Sequence, residues 1–523
     1  MIPLRALAKA TREALAYVRA QPGVREAEVF MASNGGLFAR LNYTSHIPSN
    51  GLEEPKSLDS YGVGIRAAFN TPEGVKAGFG SEPSDISLEG VRRALEKARH
   101  GAVRDPEFVS LPRPGKERRT LRHYHDPVIM RMRDGHLVDA GWRVVEAALE
   151  AFGSSEELTE AAGTPEGIKA LGLIVGGDMV ALQERVAIAS THLPQVQTDE
   201  STLIMSFVTA MVEERFAKGT AWSAVAKLAD FSGGPGAEAA RNAILSMGGV
   251  RVPSRTYRVV LGRQPITELL NFVILPSFSL GTFYAGASAF QGKLGQQVAW
   301  QGLSLYDHGA LPGLAASKGI TDEGLPTGRT DIIKSGHLVG LLSHYYEYQR
   351  MLNDPKGREK LGVDPRAHQE AIAPRNGFRF ARGGGRHFDT PPGTGATSII
   401  IEGSAGLSRE ELFRLVGDGL YIGRIWYTYP INGIAAGDFT GTVVGDSYLI
   451  KDGRLAAPLK PNTLRLSDNI HNLLQSILGI GKKQQGTVVW AADSIMHVPE
   501  IAFASLNCIE IAEYMESAWA PGG

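Results

Sequence analysis

The chain has 523 residues, 43% of them hydrophobic and 21% charged, which is enough for two or more domains with ample cores. Lys plus Arg number 54 against 55 Asp plus Glu, and this net charge of −1 argues against a surface built to coat nucleic acid. The single cysteine, Cys508, excludes an intramolecular disulfide and a Cys-rich zinc site and fits a reducing compartment.

The opening stretch MIPLRALAKATREALAYVRAQPG has no continuous apolar core of the signal-peptide kind. Leu4, Leu7, Ala8, Leu15 and Val18 instead predict an amphipathic helix ending near Pro22 and Gly23. No segment reaches the roughly 20 apolar residues of a membrane span, so a soluble cytoplasmic protein is expected. Alternating runs on either side of Asn34-Gly35-Gly36 predict a hairpin there. YGVGIRAAFNTPEGVKAGFGSE predicts two more strands around a Pro-Glu-Gly turn, and Ser87 caps a following helix. Residues 105–127, rich in Pro and Arg, read as a surface connection. A helix over DGHLVDAGWRVVEAALEAF places Leu137, Val138, Val145, Leu149 and Phe152 on one face. IKALGLIVGG, RVAIAST and STLIMSFVTAMVEE predict an antiparallel meander, closed by a helix over GPGAEAARNAILSM.

A break at 248–256 divides the chain into expected domains 1–252 and 253–523. The second begins with a strand, TYRVVLG, and a helix containing ELLNFVILPSFS, which is apolar nearly all round and interrupted by Pro276. Strand-like runs dominate the remainder of this half. Residues 352–397 are polar, basic and Gly-rich and read as a long mobile loop. The expected class is α+β: an N-terminal domain of antiparallel strands with packing helices, and a C-terminal domain with a curved antiparallel sheet around a buried helix.

Local motifs disclose no catalytic centre. His123 and His125 would share a face on a strand and could suit one metal, but Pro127 and the loop-like setting favour a solvated segment. Cys508, in the alternating run ASLNCIEI, reads as core. GVGIRA lacks the third glycine and the helix of a dinucleotide fingerprint. ARGGGRHF could cradle an anion, with a flexible loop the blander reading. Asp322 and Glu323 sit in a turn-like stretch with no visible convergent partner.

Residues 292–342, GKLGQQVAWQGLSLYDHGALPGLAASKGITDEGLPTGRTDIIKSGHLVGLL, resemble the signature block of the TldD/PmbA family. Its positions fall on Gly292, Leu294, Gly295, Val298, Asp307, Asp322, Glu323, Gly324, Pro326 and Thr327. EELFRLVGDGLYIGRI, GDFTGTVVGDSYLIKDGRLAAPLK and LSDNIHNLLQSILGIG are similar to later blocks, and the order of segments carries the resemblance over nearly the whole chain. TldD-like members carry His-Glu-x-x-x-His on the buried helix and a C-terminal Cys, and are zinc peptidases. TldE (PmbA)-like members lack these ligands and pair with a TldD-like chain. Here the two His positions align with Asn271 and Pro276 and the Glu position with Phe272, while the Cys region reads GIGKKQQG. An amide, a phenyl and a pyrrolidine cannot replace imidazole or a general base. Residues five apart lie about 140° apart on a regular helix, so the family's ligands require a break or bend, which Pro276 would impose here. Phe272, Val273, Ile274 and Leu275 would then fill the vacated centre.

The resemblance implies a non-catalytic subunit of a zinc peptidase that handles unfolded peptides. It would bind no metal itself, and its partner would be a zinc-bearing TldD-like chain. The alternative is a stand-alone or homodimeric peptide-binding scaffold. Strand addition is the implied grip, with DGLYIGRIWYTY, residues 418–429, as the candidate edge and Gly419, Leu420, Tyr421, Ile422 and Gly423 as its candidate contacts. The family's older label, modulator of DNA gyrase, implies a link to topoisomerase, but this near-neutral chain gives no support for direct DNA binding.

Overall fold

The computed structural model describes residues 1–47, 50–380, 385–488 and 495–512. The N-terminal helix is α1 (Leu4–Arg19), with Leu7, Ala14 and Val18 inward. The long strands β1 (Val24–Thr44), β2 (Lys56–Thr71) and β3 (Gly74–Pro83) come next, then α2 (Leu88–His100), capped by the Ser87 hydroxyl. After them lie the short β4 (Val103–Arg104), α3 (Asp134–Gly153), α4 (Glu156–Ala162), β5 (Leu173–Ser190), β6 (Gln197–Val212), β7 (Ala217–Val225) and α5 (Gly234–Leu245). The seven strands form one antiparallel sheet in the order β4-β3-β2-β1-β5-β6-β7.

The sheet's two faces do different work. Along β1 the side chains alternate. Ala27, Val29 and Met31 bury against α1 in a core that α2 also enters, while Leu37, Ala39 and Leu41 bury against α3 in a core that α5 shares. These four helices therefore cover one face. The other face presents Phe30 and Ala32, which pack on Ile320 and Phe388 from the second half of the chain.

The hairpin expected at Asn34-Gly35-Gly36 is absent, because β1 runs straight through it. A Cβ on Gly35 would lie 2.3 Å from Gln183 Oε1, and the Gln183 amide is fixed by donating to the Ile129 carbonyl at 2.7 Å. The glycine makes room across the sheet and does not turn the chain. GVGIRA has a similar explanation: a Cβ on Gly64 would meet the Phe388 carbonyl oxygen at 2.2 Å, so this strand is stripped for close approach. The first two runs of the expected meander fuse into β5. The connection at 105–127 has little regular structure but is no mere surface strap. Leu111 and Leu121 are buried, and Arg119 pairs with Asp199 at 2.6 Å.

The strands of the second half are β8 (Arg255–Leu261), β9 (Leu303–His308), β10 (Arg329–Lys334), β11 (His337–Leu338), β12 (Gly377–Phe378), β13 (Gly393–Thr394), β14 (Ser398–Gly403), β15 (Gly406–Leu407), β16 (Gly419–Ile431), β17 (Asp438–Lys451), β18 (Arg454–Pro458), β19 (Leu464–Asn469), β20 (Ile477–Gly481), β21 (Gln485–Val488), β22 (Ile495–Val498) and β23 (Ile501–Glu510). The path β8-β16-β17-β19-β23 returns to β8, closing a ring. A second sheet runs β11-β10-β9-β14-β22-β21. The sheets are mainly antiparallel, but β8 with β16, β14 with β22 and β15 with β20 are parallel. The architecture is α+β. The opening helix of this half packs Ile266, Leu269, Leu270, Val273, Ile274 and Leu275 into the largest apolar core. Each such side chain contributes roughly 1.5–3 kcal/mol.

Residues 352–397 are not a long irregular loop where they are described. They carry a helical turn at Gly357–Leu361, β12 and β13, and the side chains of Arg379 and Arg386 are fully buried. Polar composition misleads here because the arginines are matched by carboxylates of the first sheet. Of ARGGGRHF, residues 381–384 lie outside the described residues.

Candidate functional site

The helix begins as α6 (Arg263–Leu269) and continues as a π-turn over Leu270–Ile274 and an α-turn over Leu275–Ser277. In the π-turn the Leu275 N–H donates to the Leu270 carbonyl, five residues back. An i→i+5 turn stacks residues five apart on one side, which a regular α-helix does not. Pro276, which has no N–H to give, sits directly after it. The expected break is thus a change of helical pitch within a continuous helix.

The π-turn has a consequence for three named positions. Val273, Ile274 and Leu275 are buried, as expected, but Phe272 is 38% exposed, and Asn271 and Pro276 are half-buried. Phe272 therefore does not fill a vacated centre. Asn271, Phe272 and Pro276 are the helix's open positions, facing away from the core.

Toward its start, the same helix meets β16. Gln264 Nε2 donates to the Ile425 carbonyl at 3.1 Å, and the Ile425 N–H donates to Gln264 Oε1 at 2.9 Å. The side-chain amide thus imitates one more strand residue where β8 stops. Gln264 Nε2 also donates to Glu268 Oε1 at 3.1 Å. Glu268 is only 4% exposed, and burial pushes its carboxyl up to about 7 against the pull of Thr428, Arg424 and Gln264. Arg424 is itself buried, which lowers its pKa, and its guanidinium lies 5.3 Å from the Phe207 ring centre and 5.7 Å from that of Trp426.

The candidate peptide edge needs correction. Leu420, Tyr421 and Ile422 pair with β8 on one side, while Gly419 through Ile422 pair with β17 on the other, so these residues have no free edge. The Gly423 N–H is taken by the Ser447 hydroxyl at 3.2 Å. Past Gln264 the situation reverses. Among the described residues, β16 from Trp426 to Ile431 pairs with β17 alone. A bulge falls between Trp426 and Tyr429, with Tyr427 at φ 54° and 71% exposed. A bulky residue held in the left-handed region marks local strain.

The other candidates resolve into structural roles. His123 is exposed at φ 52°, and His125 lies 3.8 Å from Glu200, so the two do not present a shared face. Cys508 is 0% exposed, and burial pushes its thiol up to about 12. Asp307 accepts from the Thr397 N–H at 2.8 Å and from Asn376 at 2.7 Å. Asp322 accepts from the Arg379 N–H at 2.7 Å, and Glu323 from the Tyr345 N–H at 2.9 Å. Burial raises Asp322 to about 6 and Glu323 to about 7. These acids pin loops. The stretch Gly479–Gly486 forms the end of β20, a turn and the start of β21.

A family model described as the PmbA/TldA metallopeptidase C-terminal domain matches residues 254–510. The whole chain superposes on TldE from Thermococcus kodakarensis with a TM-score of 0.75 at 18% identity, covering 96% of this chain and 100% of that one. Through residues 254–510 the chain belongs to the TldD/PmbA family. A Thermotoga maritima protein described as a candidate modulator of DNA gyrase shares the fold at a TM-score of 0.71 and 17% identity, over 96% of this chain and 99% of that one. Among sequences, a metalloprotease TldD homolog of Haemophilus influenzae is 26% identical over 289 residues, 52% of each chain. A metalloprotease of Synechocystis is 27% identical over 188 residues, 36% of this chain and 34% of that one. The chain thus spans about a third to a half of the length of these relatives.

The TldD/PmbA family is metallopeptidase-related, so the donor set bears on zinc. Asn271, Phe272 and Pro276 offer an amide, a phenyl and a pyrrolidine on the open stripe of the π-turn, and these do not fit the ion. Among the described residues no three of His, Cys, Asp and Glu are gathered to hold a metal. Motif reading missed Glu268 and Arg424. The signal for Glu268 was one carboxylate at the head of the apolar run ELLNFVIL. Arg424, in a strand-like run, gave no comparable signal.

Proposed function

We propose that this chain is the non-catalytic, TldE/PmbA-like subunit of a TldD-type zinc peptidase, completing a chamber around an unfolded peptide while its partner supplies the metal. One observation supports this above the others. The three positions that the family resemblance assigns to ligand, base and ligand share the open stripe of a π-turned helix, yet their side chains bind neither zinc nor a proton in transit. The shape of a metal site persists with its chemistry removed. The grip falls on the open edge of β16 at Trp426–Ile431, beside that helix, where main-chain hydrogen bonds hold a strand without demanding its sequence.

The test is reconstitution. The chain alone is expected to hydrolyse no unfolded peptide and to purify with well under one zinc per chain. Affinity capture from its native cell is expected to retain a chain carrying His-Glu-x-x-x-His, and the pair is expected to hydrolyse peptide. Stoichiometric zinc on the isolated chain, or capture of only a second copy of itself, would overturn the reading and favour a homodimeric scaffold.

A further inference from the structure

A cleft of about 460 Å³ opens between the two halves of the molecule, at the start of α6 and away from the Asn271–Pro276 stripe. Its walls come from α5, α6, β7, β16, β17, the helix Arg409–Val416 and the turn after β20. Arg241, Arg263, Arg409, Lys482 and Lys483 line it against Glu238, Asp446 and Glu500, leaving an excess of positive charge.

Some of this charge is matched internally. Arg263 lies 3.4 Å from Glu238, and Arg409 lies 3.3 Å from Glu500, which also accepts from the Tyr421 hydroxyl at 2.9 Å. Arg241 and Lys483 are exposed, and neither has a carboxylate within ion-pair distance among the described residues. Independent of charge, the walls contain buried polar atoms without partners: the Tyr448 hydroxyl, the Trp222 indole N–H and Asp446 Oδ1. Tyr448 is 6% exposed, so its hydroxyl has no bulk water to fall back on. These atoms lie behind the cleft's surface, so the polar contacts open to a ligand come from the exposed cations of its walls.

We propose that this cleft takes a carboxylate of a bound peptide, with Arg241, Arg263 and Lys483 as the cationic wall. This rests on the peptide-holding reading above and names the chemistry that reading lacks. A planar guanidinium matches a carboxylate through paired N–H donors. The acids interspersed among these cations, Glu238, Asp446 and Glu500, disfavour a dense polyanion and suit the N–H groups that flank a carboxylate in a peptide. The cleft adjoins the open edge: Gly423 lines it, and the edge begins at Trp426. Gln264, also in its wall, lies eight residues before Phe272, about 12 Å along a helix axis. That is about four residues of extended chain. The carboxylate comes either from an Asp or Glu side chain or from the peptide's own C-terminus.

Calorimetry on the isolated chain separates the possibilities, using short unstructured peptides of equal length. One has internal Glu and an amidated end, one has Gln in place of Glu with a free carboxyl end, and one has Gln with an amidated end. Binding of the first assigns the cleft to side chains and binding of the second to the terminus. The third is expected to bind at least about tenfold more weakly than whichever wins. The double variant Arg241→Gln, Lys483→Gln, at two exposed positions that leave the fold intact, is expected to erase that difference. Equal binding of all three peptides, an unchanged preference in the double variant, or inorganic phosphate binding as tightly as the best peptide would each overturn the proposal. No partner or cleavage enters the measurement, so failed reconstitution sinks the subunit reading without deciding this one.

Discussion

Glu268 is the residue at which the architecture of this chain costs it most visibly. A carboxyl raised to about 7 by burial is held protonated in the folded state at pH values where the unfolded chain has released the proton. Stability therefore falls as pH rises from the ordinary carboxylate range through about 7, and the penalty is full above that. Glu268→Gln keeps an oxygen to accept from Gln264 and removes the titration. The variant is expected to match the parent near pH 4 and to exceed it at pH 8 by on the order of 1–3 kcal/mol. Urea denaturation at the two pH values checks this. An advantage that is the same at both would mean that packing, not ionisation, sets the difference.

Among the elements, the π-turned helix and the bulged end of β16 form a pair. The helix was legible as a buried, Pro-interrupted segment because its apolar residues leave no polar face. Its pitch was not, since an i→i+5 turn replaces one hydrogen-bond partner by another without any dedicated residue type. The strand was legible too, and the expected edge over 418–429 overlaps its free end, but the contacts were placed too early, at Gly419–Gly423. Pairing partners are set by residues far away in sequence, here β8 and the Gln264 amide, and no local pattern encodes them. The bulge yields a prediction. Tyr427 at φ 54° holds a conformation that glycine adopts without strain. Tyr427→Gly is expected to leave stability unchanged or raise it by up to ~1 kcal/mol, while weakening peptide capture by the reconstituted pair. A loss of stability above ~1 kcal/mol would show that the Tyr427 ring packs and that the backbone is not strained.

At the scale of the whole molecule, the two halves are joined through buried charge. Glu28 on β1 lies 2.7 Å from Arg66 and 2.6 Å from Arg379 of the second half. Arg386, fully buried, lies 3.1 Å from Asp199, 3.7 Å from Asp322 and 3.8 Å from Glu184, and Glu184 also meets Lys318 at 2.6 Å. The sequence hid this junction because each half of every pair looks like an ordinary surface charge until topology brings the two together. Burial alone would raise Glu184, but Lys318 and Arg386 override it and bring the carboxyl to about 2. Such a depressed carboxyl contributes stability above the ordinary carboxylate range that is lost as pH falls toward about 2. Arg386→Met removes the cation shared by Asp199, Glu184 and Asp322; Arg119 stays on Asp199 and Lys318 on Glu184, while Asp322 loses its ion-pair partner out of water. The expected loss at pH 7 is ~3–5 kcal/mol, because an uncompensated buried charge costs more than the pair was worth. The variant should also unfold at a higher pH on acid titration followed by near-ultraviolet circular dichroism, since Glu184 then takes up its proton earlier. A loss below ~1 kcal/mol with an unmoved acid transition would mean that apolar contacts such as Phe30 against Phe388, and not the ion pairs, hold the halves together.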